Sequence, residues 1–175
     1  MYARDRARAS RLDGDGRSRH VRGMMKATDT PMQQALALAR EGAAAGEVPV
    51  GCVIVDGETG EVLAQTTNRT ERDNDPTAHA ELLAIREACA KVGSTRLPGC
   101  DLYVTLEPCA MCATAISYAR IRRLYFGAYD PKMGGVEHGP AIFNQPTCHH
   151  TPEVYGGLDE SEAAELLKSF FADKR

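Results

Sequence analysis

Two short stretches constrain this chain more than any other feature. Thr77-Ala78-His79-Ala80-Glu81 comes first, and Glu107-Pro108-Cys109-Ala110-Met111-Cys112 follows about thirty positions later. One imidazole, two thiols and a carboxylate have a joint use only if the fold brings both stretches to one point. Pro76 and Pro108 suggest that each stretch opens a helix, with proline as the first helical residue, where it loses no intrahelical hydrogen bond. Cys109 and Cys112, three apart, then share a helix face. A helix start also favours the thiolate that a metal needs.

His79, Cys109 and Cys112 supply three zinc ligands and leave a fourth place for water, the pattern of a catalytic site. Glu81 lies two residues beyond His79, roughly 200° round an ideal helix. It reaches the open side only if the metal sits over the helix end, where it would shuttle protons. Two other uses of a C-x-x-C are a redox pair and half of a structural zinc site. A structural site needs a fourth ligand from Cys52, Cys89, Cys100, Cys148, His149 or His150. Both leave Glu81 without a role.

His-Ala-Glu followed by Pro-Cys-x-x-Cys is the established signature of zinc-dependent nucleobase deaminases. Three longer stretches narrow the resemblance: Asp75 to Glu81, Leu102 to Cys109, and Glu47-Val48-Pro49-Val50-Gly51. From about Met32 to Arg175 the chain closely resembles the bacterial tRNA-specific adenosine deaminases. The resemblance implies a three-layer α/β/α fold with a five-stranded mixed sheet, one zinc ion per subunit and a homodimer in the cytoplasm. It also implies a tRNA anticodon stem-loop as partner, with the wobble adenosine converted to inosine by zinc-activated water. By the same resemblance Asn68 meets the substrate nucleotide, Val50 lines the base pocket, and Asp130 and Lys132 flank the RNA. Helix-start geometry adds the backbone N–H groups of Ala80 and Cys109 as groups that orient the pocket. A free-base or nucleoside deaminase acting on guanine or cytosine would share the zinc site and differ at the rim. A non-catalytic RNA-positioning subunit would lack the glutamate, and Glu81 is present.

The chain has 175 residues, of which 43% are hydrophobic, enough for one domain with a core. No run of eighteen apolar residues occurs, so no helical membrane span is expected. Six cysteines fit a reducing compartment. The first 26 residues carry eight Lys or Arg against three Asp, a net +5; with −3 overall, the remainder carries −8. Residues 1–27 are therefore read as a disordered basic extension, and 28–175 as the deaminase domain. The extension is an RNA-attracting arm, a targeting segment, or untranslated sequence ahead of Met24 or Met25. The −8 body favours the free-base alternative, since RNA binders tend to be basic; the long motif match opposes it.

Thr30-Pro31-Met32-Gln33 reads as a capping box opening a helix to about Ala45, with Met32, Leu36, Ala39 and Ala43 inward. Strands are expected over Val48–Val55, Val62–Thr67, Asp101–Leu106 and Ile121–Gly127, with Val154-Tyr155 as a fifth. The His79 helix is expected to bury Leu82, Ile85, Cys89 and Val92, and the Cys109 helix to end near Ala119. Strand–helix–strand order around Cys109 implies parallel pairing. Arg120, Arg122 and Arg123 are candidates for phosphate contact, or for strand residues that are solvated or at a subunit contact. Asp159 with Glu162 reads as the capping box of a last helix. Its apolar side is Ala163, Leu166, Leu167, Phe170 and Phe171, and Lys168, Lys174 and Arg175 lie near its end.

Overall fold

A computed structural model describes residues 29–172. The basic extension, and Lys174 and Arg175, lie outside the described residues.

Thr30 caps the first helix, α1 (Pro31–Ala44), with both hydrogen bonds of the capping box present. The helix buries Met32, Ala35, Leu36, Ala39 and Gly42, so Gly42 takes the inward place expected of Ala43. A sharp turn in which Asp56 Oδ1 accepts the N–H groups of Glu58 and Thr59 joins β1 (Gly51–Asp56) to β2 (Val62–Thr67). A short helix, α2 (Thr70–Asp73), follows in the polar stretch after β2. The remaining elements are α3 (Ala80–Val92), β3 (Cys100–Leu106), α4 (Ala110–Ala119), β4 (Arg123–Ala128), a 3-10 turn (Ile142–Asn144), β5 (Glu153–Tyr155) and α5 (Glu160–Ala172).

The five strands form one mixed sheet in the order β2-β1-β3-β4-β5. β1 is antiparallel to both neighbours, and β3, β4 and β5 run parallel. β1 is buried on both faces, which explains its unbroken apolar run. Cys52 and Ile54 face the layer of α3 and α4; Val53 and Val55 face α1 and α5. This is the three-layer α/β/α arrangement.

Several local expectations are corrected. Neither Pro76 nor Pro108 is the first helical residue: α3 and α4 begin at Ala80 and Ala110, with His79 and Cys109 as N-caps. Pro76 lies in a turn in which Asp75 accepts from both the N–H and hydroxyl of Thr77. α3 buries Ala80, Ala84 and Ala88, while Val92 is half exposed. Small residues on that line let the helix approach the sheet closely, and the larger Ile85 and Cys89 pack at its margin. Two of the three clustered arginines are paired with carboxylates. Arg122 forks onto both oxygens of Asp101 at 2.8 Å, Arg123 pairs with Glu153, and Arg120 closes α4 in the left-handed conformation. Asp159 is also left-handed (φ 54°) rather than an extended cap, and Glu162 pairs with Arg40 instead of closing a capping box.

Candidate active site

The two metal-binding stretches open neighbouring helices on the same side of the sheet. His79 and Cys109 hold corresponding places. Each is an N-cap with extended backbone, and neither uses its side chain to cap its helix. Both side chains instead turn to a common point. His79 Nδ1 lies 3.7 Å from Cys109 Sγ and 3.5 Å from Cys112 Sγ. Tetrahedral zinc with ordinary bond lengths puts nitrogen and sulfur ligands about 3.6 Å apart, so the three donors stand at zinc-binding separation. Of the described residues, only these three form such a cluster. Among the described residues no fourth protein ligand joins them, as a structural site would require. His150 Nε2 is engaged with the Ile121 carbonyl, and His149 lies against Tyr118.

The sulfurs are unequal. Cys109 is held down to about 4, first because Cys112 donates a hydrogen bond to it and also because His79 does, against the opposing effect of burial. The same hydrogen bond between the two sulfurs, together with burial, pushes Cys112 far up. Glu81, the second residue of α3, is 4% exposed. Its carboxyl is pushed up to about 7, chiefly by burial.

A cavity of about 270 Å³ reaches His79, Cys109 and Glu81 together, while Cys112 lies behind them. Val48, Val50, Leu106 and Met133 give it apolar flanks, and Asn68, Thr70, Glu107 and Asp130 complete its polar lining. Asn68 is buried, and its Oδ1 accepts the N–H of Ala80 at 3.0 Å. The Ala80 N–H is therefore spent on Asn68, a correction to the expectation that it orients the pocket directly. The Cys109 N–H has no such assignment in the geometry. Asp130 is at the wall, where its Oδ1 also accepts the N–H groups of Lys132 and Met133. Lys132 is exposed and lies outside the lining.

Two residues in the quoted motifs had no role assigned from sequence. Glu47 and Glu107 are buried, at 1% and 2% exposure. Burial would push the Glu107 carboxyl up, but hydrogen bonds from His138, Asp130 and Glu137 outweigh it and hold it below the usual carboxylate range. A charged residue inside a strongly apolar stretch was the available signal.

This fold, with its His-Cys-Cys cluster, defines a class of zinc deaminases. Residues 25–128 match the cytidine and deoxycytidylate deaminase zinc-binding region, and the chain belongs to that family. The metal that the three donors fit is zinc. More particular relatives follow. The chain is 60% identical over 144 residues to the tRNA-specific adenosine deaminase of Agrobacterium fabrum, covering 82% of this chain and 93% of that protein. A solved structure from a study of A-to-I editing by tRNA:A34 deaminases at the wobble position is 60% identical, with a TM-score of 0.76 over 78% of this chain and 98% of that one. The guanine deaminase of Nitrosomonas europaea is 25% identical, with a TM-score of 0.71 over 81% of this chain and 83% of that one.

Proposed function

We propose that the chain hydrolyses adenosine to inosine at the wobble position of a tRNA anticodon. The observation that carries this is the 60% identity to the Agrobacterium enzyme, spanning the metal cluster, Glu81 and both cavity walls. In the reaction a carbon–oxygen bond forms at the ring carbon bearing the amine, the carbon–nitrogen bond breaks, and ammonia leaves.

His79, Cys109 and Cys112 hold the zinc. When bound, zinc supplies Lewis-acid activation of water. Glu81 takes a proton from the attacking water and returns it to the leaving nitrogen. Burial raises its proton affinity, which suits a group that must both take up and give back a proton. The oxygen of Asn68 accepts from Ala80, which fixes the side chain so that its amide nitrogen can donate to a base in the cavity. The apolar flanks at Val48, Val50, Leu106 and Met133 suit a flat ring inserted between them. A base stacked in a helix cannot enter such a recess, which favours an unstacked loop nucleotide.

Two finer points belong to this reading: the chain works as a homodimer, and it does so in the cytoplasm. Tyr118, 63% exposed on α4, offers a large apolar group to a partner. All six cysteines are free, as suits a reducing compartment. Among the described residues no helix is long and apolar enough to cross a membrane. The guanine-deaminase alternative draws on a similar TM-score but much lower identity.

The test offers purified zinc-loaded protein an anticodon stem-loop with adenosine at the wobble position, beside free adenosine, guanine and cytosine. Inosine in the stem-loop supports the proposal. Ammonia from guanine alone transfers the assignment to the alternative.

A further inference from the structure

Two carboxylates outside the proposed chemistry each gather a set of donors from one segment. The Glu107 side chain is fully buried. Its Oε1 accepts the N–H groups of Val136 at 3.2 Å, Glu137 at 2.9 Å and His138 at 2.9 Å. Its Oε2 accepts the N–H of Asp130 at 3.1 Å and meets His138 Nδ1 at 2.7 Å. Five contacts thus come from one loop, 130–138. Glu47 does the same for residues 70–72, accepting from the N–H of Arg72 at 2.8 Å, the N–H of Glu71 at 3.2 Å and the hydroxyl of Thr70 at 3.3 Å.

Each segment forms one wall of the cavity. Thr70 follows β2, while Asp130 and Met133 follow β4; β1 and β3 lie between those strands in the sheet, so the two sets line the cavity from opposite sides. Packing does little for the tips, where Glu71, Arg72, Pro131, Lys132 and Met133 are all exposed, although Val136 anchors the far part of the second segment in the core. The 130–138 loop also comes unusually close to its carboxylate. A Cβ on Gly134 would lie 2.6 Å from Glu107 Cδ. The next residue, Gly135, donates its N–H to the Pro108 carbonyl beside Cys109.

We propose that Glu47 and Glu107 are positioning residues, two internal pins that hold the opposite walls of the cavity through backbone N–H groups. Glu107 lines the cavity, but its carboxylate is buried in the 130–138 loop, so both residues act on a bound base through the walls they hold. A wall ordered beforehand need not be ordered at binding, so loosening it appears first in KM. The inference rests on reading this cavity as the base pocket.

The test uses the full-length zinc-loaded protein and the isosteric variants Glu107→Gln and Glu47→Gln. A neutral amide can accept at one position only, and its NH2 then faces N–H donors at the other. For Glu107→Gln, KM for the stem-loop rises about tenfold or more while kcat stays within about threefold. Zinc content is unchanged. Hydrogen exchange quickens over 130–138 but not over 70–73 or the sheet, and Glu47→Gln gives the reverse pattern. Unchanged KM overturns the proposal, and so does exchange that quickens evenly throughout the chain. If Glu107→Gln does not fold, Gly134→Ala keeps the carboxylate and must reproduce the KM rise and the local exchange. If the wild type makes no inosine in the stem-loop, the functional reading fails, and the exchange pattern, which needs no substrate, still judges the pins.

Discussion

Replacing Gly51 with alanine tests how closely α1 is pressed on the sheet. Gly51 opens β1, directly after the cavity residue Val50. A Cβ there would lie 2.0 Å from the Ala35 carbonyl oxygen and 2.8 Å from the Ala39 nitrogen, both backbone atoms of α1. Ordinary contact begins near 3.4 Å, so α1 must retreat by more than an ångström. No rotamer change relieves a clash between backbone and Cβ. The cost therefore belongs at the upper end of the usual overpacking range, about 3 kcal/mol. Unfolding entropy of about 2.1 cal/mol/K per residue, applied to the described domain, converts this to a fall in Tm of about 10 °C. Thermal unfolding followed by circular dichroism, wild type against Gly51→Ala at equal zinc loading, reads the shift. A Tm within about 2 °C of wild type would refute the claim that helix and strand backbones are in direct contact here.

Glu81→Ala is expected to retain zinc at one ion per chain and to lose about 10²–10⁴-fold in kcat, the range for removing a general acid–base; metal analysis beside single-turnover rates checks both, and loss of zinc would make Glu81 structural. For Glu107 the folded pKa is depressed, so its stabilisation is present above the unfolded pKa of about 4.5 and fades as pH falls through the folded value. The Tm gap between wild type and Glu107→Gln should accordingly be full near neutrality and close in acid; a gap that widens in acid contradicts the assignment. Arg122→Ala strands the buried Asp101 carboxylate, and should lower Tm while leaving KM for the stem-loop and its salt dependence unchanged. A weaker salt dependence would return Arg122 to the phosphate contacts.

Features with local causes were legible in the sequence. The α1 capping box is written within a few adjacent residues, and β2 spans the Val62–Thr67 stretch expected of it. The metal ligands were legible because their chemistry admits few alternatives. Helix starts were misread because proline signals a first turn in general, whereas here the ligands themselves occupy the N-cap positions. The inward face of α3 was misread because bulk was taken to mark the core. A helix lying close to a sheet buries alanines and turns Val92 outward. Glu47 and Glu107 escaped for another reason. Their partners are backbone N–H groups 23 to 31 positions away, which no side-chain periodicity records. Asn68 was placed by resemblance, but its hold on Ala80 needed coordinates.

The central claim is that one zinc site, opening on a cavity beside Glu81, deaminates adenosine in an anticodon loop. The most direct measurement incubates the zinc-loaded protein and its Glu81→Ala variant with the stem-loop and quantifies inosine by nucleoside mass spectrometry. The account predicts inosine at the wobble position with the wild type and essentially none with the variant, both carrying one zinc per chain. Inosine formed equally by both proteins, or ammonia released from guanine while the stem-loop stays intact, would contradict it.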